Sequence, residues 1–149
     1  MCLFTDLSKS PMVAHEDIIC YKVVKSDSWC YPMMSPYRDF EWEYDKEYTT
    51  DGEKKLEPYY DQYHQGYFIA DGYFHTFKYE SDAWELWDKI TWNGRKDLYQ
   101  VVICKIPKGA LIYEGHFGDP QQDHGEVMSG AYCYASNKLT ITDVVQWYH

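Results

Sequence analysis

An α+β fold is the class this chain predicts: a single compact domain, residues 1–149, on a mainly antiparallel or mixed sheet with one helix at about 81–90. Three observations predict it. Short apolar or alternating runs, closed by turn residues such as Asp51-Gly52, Asp71-Gly72 and Pro107-Lys108-Gly109, recur along the chain. Only one segment carries a helical apolar period. Few of the strands are separated by long helical patterns, which argues against a wound parallel sheet.

The elements follow in order. Residues 1–16 read as an irregular lead-in. Asp17 to Lys25 (DIICYKVVK) is a β-branched apolar run and a buried strand. Residues 26–38 contain Pro32 and Pro36 and read as a loop. From Asp39 to Glu47 every odd position is acidic, and the even positions Phe40, Trp42, Tyr44, Lys46 and Tyr48 are mostly aromatic. Strict alternation predicts one strand, aromatic on one face and acidic on the other. Residues 53–65 are polar and tyrosine-rich, and either a short helix or a loop fits them.

Tyr67 to Ala70 is a brief apolar run, and Tyr73 to Tyr79 an aromatic, strand-like one. Ser81 is placed as a helix N-cap, with Asp82 in the first turn. Ala83, Leu86, Trp87 and Ile90 then fall at i, i+3, i+4 and i+7, one apolar face, and Asn93-Gly94 ends the helix. Leu98 to Ile106 is the clearest core strand, and Ala110 to Glu114 a short one after the turn. Residues 115–130, with four glycines, read as a mobile loop. Cys133 to Asn137 leads into a last strand from Leu139 to Val145, with Leu139, Ile141 and Val145 on one face.

Composition bounds the function. The net charge is −10 and the pI about 4.9. Direct nucleic-acid binding rests on Lys and Arg neutralising phosphates, so this balance disfavours it and favours a basic protein surface. Solubility alone is the plainer use of such charge. The 16 tyrosines suit either a packed core or a contact surface. Five cysteines, an odd number without a CxxC, form neither a disulfide framework nor a zinc pattern. The chain shows no basic region followed by a long apolar run and no membrane span, so a reducing, cytoplasmic location is expected.

Several side chains carry candidate chemistry. The carboxylates of Glu41, Glu43, Asp45 and Glu47, about 7 Å apart on one strand face, repel one another and call for a cationic partner; they suit recognition better than acid–base work. His75 and Thr76 lie on a strand leading into the helix and could line a cleft, or be satisfied core residues. His116, His124, Asp119 and Asp123 match no familiar ligand spacing, and no metal is expected. Cys20 and Cys104 sit in apolar strands, where burial makes a thiol inert, while Cys30 falls in the loop. The phosphate-loop, dinucleotide, hydrolase-elbow and zinc-protease motifs are all absent from the sequence.

Cys20-Tyr21-Lys22, Ser35-Pro36-Tyr37, the segment from Gly72 to Phe77, Ile106-Pro107-Lys108-Gly109-Ala110, Tyr113-Glu114-Gly115 and the run from Tyr134 to Leu139 together carry a resemblance. The chain resembles small proteins, of no assigned activity, from gut Bacteroides-type bacteria and their phages. More remotely, the order of elements is similar to an ADP-ribosyltransferase-like fold. In that comparison Tyr21-Lys22 takes the first strand position, with lysine where the family carries Arg or His. Gly72 to Thr76 takes the second position and Ala83 lies in the helix. The last strand carries Asp143 in place of the family's Glu, with Glu114 and Glu126 as substitutes.

Three functions follow as expectations. The first is a small acidic accessory protein, phage- or mobile-element-encoded, that binds a basic partner surface through Glu41, Glu43, Asp45 and Glu47 and needs no cofactor. The second, implied by the remote resemblance, is an NAD-dependent transferase with Tyr73, His75 and Thr76 at the nicotinamide and Glu114 as the acid. The third is a virion or assembly component with tyrosine-rich contact faces.

Overall fold

The computed structural model describes residues 2–5, 12–27, 30–35, 38–50, 56–60, 65–69, 73–92, 94, 96–118 and 131–145, of which 2–5, 26–27, 30–35, 38–40, 56–60, 65–69 and 116–118 are described as backbone only. Among the described residues thirteen strands join one sheet, and every strand pair is antiparallel. With a single α-helix among the described residues, the architecture is α+β.

The strands are β1 (Cys2–Thr5), β2 (Met12–Val13), β3 (Ile18–Asp27), β4 (Cys30–Ser35), β5 (Arg38–Trp42), β6 (Glu47–Thr49), β7 (Leu56–Tyr60), β8 (Gln65–Ile69), β9 (Phe74–Phe77), β10 (Tyr99–Ile106), β11 (Leu111–Gly118), β12 (Tyr132–Ser136) and β13 (Lys138–Val144). Their order across the sheet is β6-β13-β10-β3-β9-β12-β11-β1-β8-β7. β2 adds to β11, and β4 and β5 extend from β3.

One seam divides this order. β3 runs against β10 over eight residue pairs, Ile18–Ile106 through Lys25–Tyr99, and β9 runs against β12 from Phe74 to Phe77. Between β3 and β9 the ladder holds at one pair, Tyr21 opposite Phe77. The sheet is thus two well-paired halves joined at a narrow contact.

Alternation along β3, β9, β10 and β12 sorts the core onto two faces. Val23, Val101, Phe77, Cys133 and Ala135 face the helix α1 (Glu80–Ile90) and pack on its Ala83, Leu86 and Trp87. Cys20, Val24, Val102, Cys104, Ile106, Tyr134, Leu139 and Ile141 face the other way, with Trp42 and Phe74. The indole Nε1 of Trp87 donates to the Tyr99 carbonyl at 2.9 Å and ties the helix to the start of β10.

The helical face is the one the 3.6-residue period predicts, with Ile90 half-buried at its end. Its start differs. The helix begins at Glu80, Tyr79 is the N-cap residue without a side-chain cap bond, and Ser81 is the exposed second helical residue. Thr91 ends it, its hydroxyl and its N–H both donating to the Trp87 carbonyl. Gly94 then takes φ 93, and its N–H donates to the Thr91 carbonyl. Asn93 lies outside the described residues.

Other expectations are corrected. The lead-in contains two strands, because β1 pairs with β8 and β11 and β2 with β11. Residues 30–35, read as loop on account of proline, form β4; Pro32 lies where the β3–β4 register shifts, a place that tolerates a missing N–H. Residues 56–60 form β7 at the end of the sheet order, Pro58 included. Strand β11 runs on to Gly118, so 115–118 belong to the sheet, and 119–130 lie outside the described residues. Val145 leaves the face of Leu139 and Ile141. A bulge at Thr142, between the pairs Cys104–Ile141 and Ile103–Asp143, reverses the alternation and sends Val145 to the helix side. The Asp51-Gly52 and Asp71-Gly72 turns lie outside the described residues.

Candidate functional site

The alternating acidic run is not one strand. β5 ends at Trp42, the chain turns through 43–46 with Asp45 at φ 58, and β6 begins at Glu47. The physical cause is the opposite side of the alternation. Trp42 is 2% exposed and makes edge-on contacts with Phe74 at 5.2 Å and Tyr48 at 5.0 Å. The two rings of this segment meet each other across the turn, which a straight strand would keep about 20 Å apart. Aspartate is one of the few side chains that accept the left-handed backbone the turn needs.

The turn is pinned to β13. The Asp45 N–H donates to the Ile141 carbonyl at 2.8 Å, Tyr44 forms an isolated parallel bridge with Ile141, and the Glu43 N–H donates to the Tyr48 hydroxyl oxygen at 2.9 Å. Glu41, Glu43, Asp45 and Glu47 are all exposed, and Tyr44 among them is 38% exposed. Lys46 lies 3.3 Å from Glu43 and over the Tyr48 ring at 5.1 Å, so it offsets part of the negative charge at the turn. The side chain of Asp39 is outside the described residues.

The second candidate group lies along the seam. Lys22 is in phase with Cys20 and Val24 on β3 and is 6% exposed. Its Nζ donates to the His75 carbonyl at 2.9 Å and sits 5.7 Å from the centre of the Trp42 ring. Lys22 forms no ion pair with any described residue. Burial lowers its pKa from 10.5, opposed by the thiols of Cys104, Cys20 and Cys133.

The register continues this row. Thr76 stands opposite Tyr134, and Tyr134 opposite Glu114, so the three share one sheet face with Lys22. Thr76 is fully buried, and its Oγ1 has no hydrogen-bond partner among the described residues. The Tyr134 phenol is pushed up to about 12, first by burial and then by electrostatic repulsion from Glu114, Cys20 and Tyr79. Glu114 is half-buried.

Tyr73 and His75 belong to the opposite face. His75 is buried opposite Ala135, a residue of the helix-side core, and Tyr73 packs edge-on against Tyr113 at 5.5 Å. The structure therefore brings Thr76 and Glu114 to one side of the sheet and Tyr73 and His75 to the other. Cys20 and Cys104 are directly opposite each other on β3 and β10 and fully buried; burial, then the neighbouring Cys20 thiol, holds Cys104 well above its usual range. Cys30 lies in β4, and its side chain is outside the described residues. His116 lies in β11 by its backbone, whereas Asp119, Asp123, His124 and Glu126 are outside the described residues. Among the described residues no three His, Cys, Asp or Glu side chains are grouped to hold a metal ion. No described helix is long and apolar enough to cross a membrane.

Residue chemistry by itself did not single out Lys22. Its signal was its phase: in Ile18-Ile19-Cys20-Tyr21-Lys22-Val23-Val24 the lysine occupies the same parity as two residues that are fully buried. Comparison with family models, with curated proteins and with solved structures finds no match to this chain.

Proposed function

We propose that this protein acts by binding, with the acidic turn formed by Glu41, Glu43, Asp45 and Glu47 docking on a basic protein surface. One observation carries the reading: four exposed carboxylates, Glu43 and Asp45 on a turn and Glu41 and Glu47 in the strands on either side of it, are gathered where the backbone is fixed by Trp42 beneath and by Ile141 beside it. A rigid anionic knob loses little conformational freedom on binding, and its charge speeds encounter with a cationic partner. In this reading the protein is an accessory factor of a phage or mobile element working in the bacterial cytoplasm. It needs no cofactor and does not touch nucleic acid directly.

The test compares two variants of equal charge. Reversing Glu41, Glu43, Asp45 and Glu47 to Lys takes the net charge from −10 to −2, since each reversal adds two. Reversing the exposed Glu80, Glu85, Asp88 and Asp97 does the same elsewhere. Affinity for a panel of basic proteins is measured at low and high salt. The first variant should lose at least tenfold and the second far less, with binding weakening as salt rises. Equal losses in both would reduce the acidic turn to a share of the overall charge.

A second reading, an NAD-using transferase of the ADP-ribosyltransferase type, is supported by the row of Lys22, Thr76, Tyr134 and Glu114 on one sheet face. Tyr73 and His75, on the other face, would support that row from behind. A ligand that binds only the folded state raises its stability by about 2.7 kcal/mol at a hundredfold excess over its Kd. An unshifted melting temperature at millimolar NAD would exclude this reading.

A further inference from the structure

The amine of Lys22 occupies an unusual setting. It is 6% exposed, receives one hydrogen-bond acceptor, the His75 carbonyl, and has no carboxylate beside it among the described residues. A buried ammonium without a counter-ion is costly, and lysine responds by giving up its proton. One step along the register from the Tyr21–Phe77 pair lies Thr76, on the same face and fully buried, with an Oγ1 that no described group satisfies. A buried hydroxyl left without a partner costs about 1–3 kcal/mol and asks what it is for. The two side chains lie where β3 and β9 part, the one place in the described sheet where neighbouring strands keep a single ladder pair.

We propose that Lys22 is an amine nucleophile for small aldehydes or ketones, with the Thr76 hydroxyl donating to the carbonyl oxygen. The Nζ lone pair attacks the carbonyl carbon, and a C–N bond forms as the C=O π pair moves to oxygen. The oxygen takes up the proton that nitrogen releases, giving a carbinolamine. Loss of water, with the nitrogen lone pair forming the C=N bond and the second N–H proton leaving, gives the imine. The net change is amine plus carbonyl to imine plus water, with no oxidant or reductant. Desolvation is a recognised means of activating lysine for this step. The 6% exposure of Lys22 restricts the reactant to a small carbonyl.

The test treats the whole chain at pH 7 with formaldehyde and sodium cyanoborohydride, which reduces any imine to a stable methylamine, and follows each lysine by peptide mass spectrometry. Lys22 should be methylated at least as fast as the exposed Lys25, Lys89 and Lys108. Thr76→Val should slow Lys22 fivefold or more and leave the surface lysines unchanged, while Thr76→Ser keeps the hydroxyl and the rate. Should Thr76→Val fail to fold, the wild-type rates and Thr76→Ser decide. An unmodified Lys22 after the surface lysines are complete overturns the proposal, whether the cause is retained charge or blocked access. An unchanged rate in folded Thr76→Val overturns the role of the hydroxyl.

Discussion

The Lys22 amine donates to the carbonyl oxygen of His75 at 2.9 Å, across the point where β3 and β9 part. A side chain here does what a backbone N–H does elsewhere in the sheet: it supplies a donor to a strand carbonyl. The residue that joins the two halves of the sheet is also the buried amine of the core.

Replacing Lys22 with Met takes that donor from the carbonyl and should cost about 1–3 kcal/mol at neutral pH, reduced by whatever the buried amine itself costs. The pH dependence separates the two. Burial lowers the folded pKa of Lys22 below 10.5, so between that lowered value and 10.5 the unfolded chain binds more protons than the folded one. Stability contributed by such a group rises with pH through that window. Wild type minus Lys22→Met, measured by urea denaturation from pH 7 to 10.5, should therefore increase. A flat difference would mean that the amine keeps its ordinary pKa.

Trp42 is the floor of the acidic turn, in contact with Phe74 and Tyr48 and facing Lys22. Trp42→Ala should cost about 3–5 kcal/mol, the range for emptying a buried aromatic site. Because the ring also faces the Lys22 amine, the double variant with Lys22→Met should fall short of the sum of the two single losses. Additive losses would show that the 5.7 Å approach carries no coupling.

Ser81 lies one residue inside the helix and is exposed. Ser81→Ala should change stability by no more than about 0.5 kcal/mol, as at other surface positions. A loss of about 1 kcal/mol or more, the usual cost of deleting an N-cap side chain, would return the cap to Ser81.

Asp45 holds φ 58 at the tip of the acidic turn. Asp45→Asn should be close to neutral, since both side chains tolerate this region. Asp45→Val should cost about 1–2 kcal/mol from its crowded Cβ. Equal stability of the two variants in thermal denaturation would mean that the turn opens without penalty.

Much of the fold was legible because its signals are local. The helix face of Ala83, Leu86 and Trp87 and the core strand ending at Ile106 rest on periodicity, and the turn at Gly109, with φ 89, rests on a residue that accepts that backbone. What was missed shares one cause. β1, β2, β4 and β7 are short or proline-bearing, and they exist because a distant strand offers them a ladder. The site divides in the same way. The acidic, exposed character of Glu41 to Glu47 could be read from alternation, while the turn that breaks the run could not.

By itself, the sequence determined the class: an acidic chain of 149 residues, sheet-rich, with one amphipathic helix and a run of carboxylates against aromatics. These are properties of near neighbours, set by period and side-chain chemistry. Only the tertiary structure decided which face each candidate joined. It put Thr76 and Glu114 on the sheet face of Lys22, sent Tyr73 and His75 to the helix side, and folded Trp42 onto Tyr48. Strand order and register decide such meetings, and they come from pairings between residues as much as 116 positions apart, such as Cys2 with Gly118, where no local pattern carries the information.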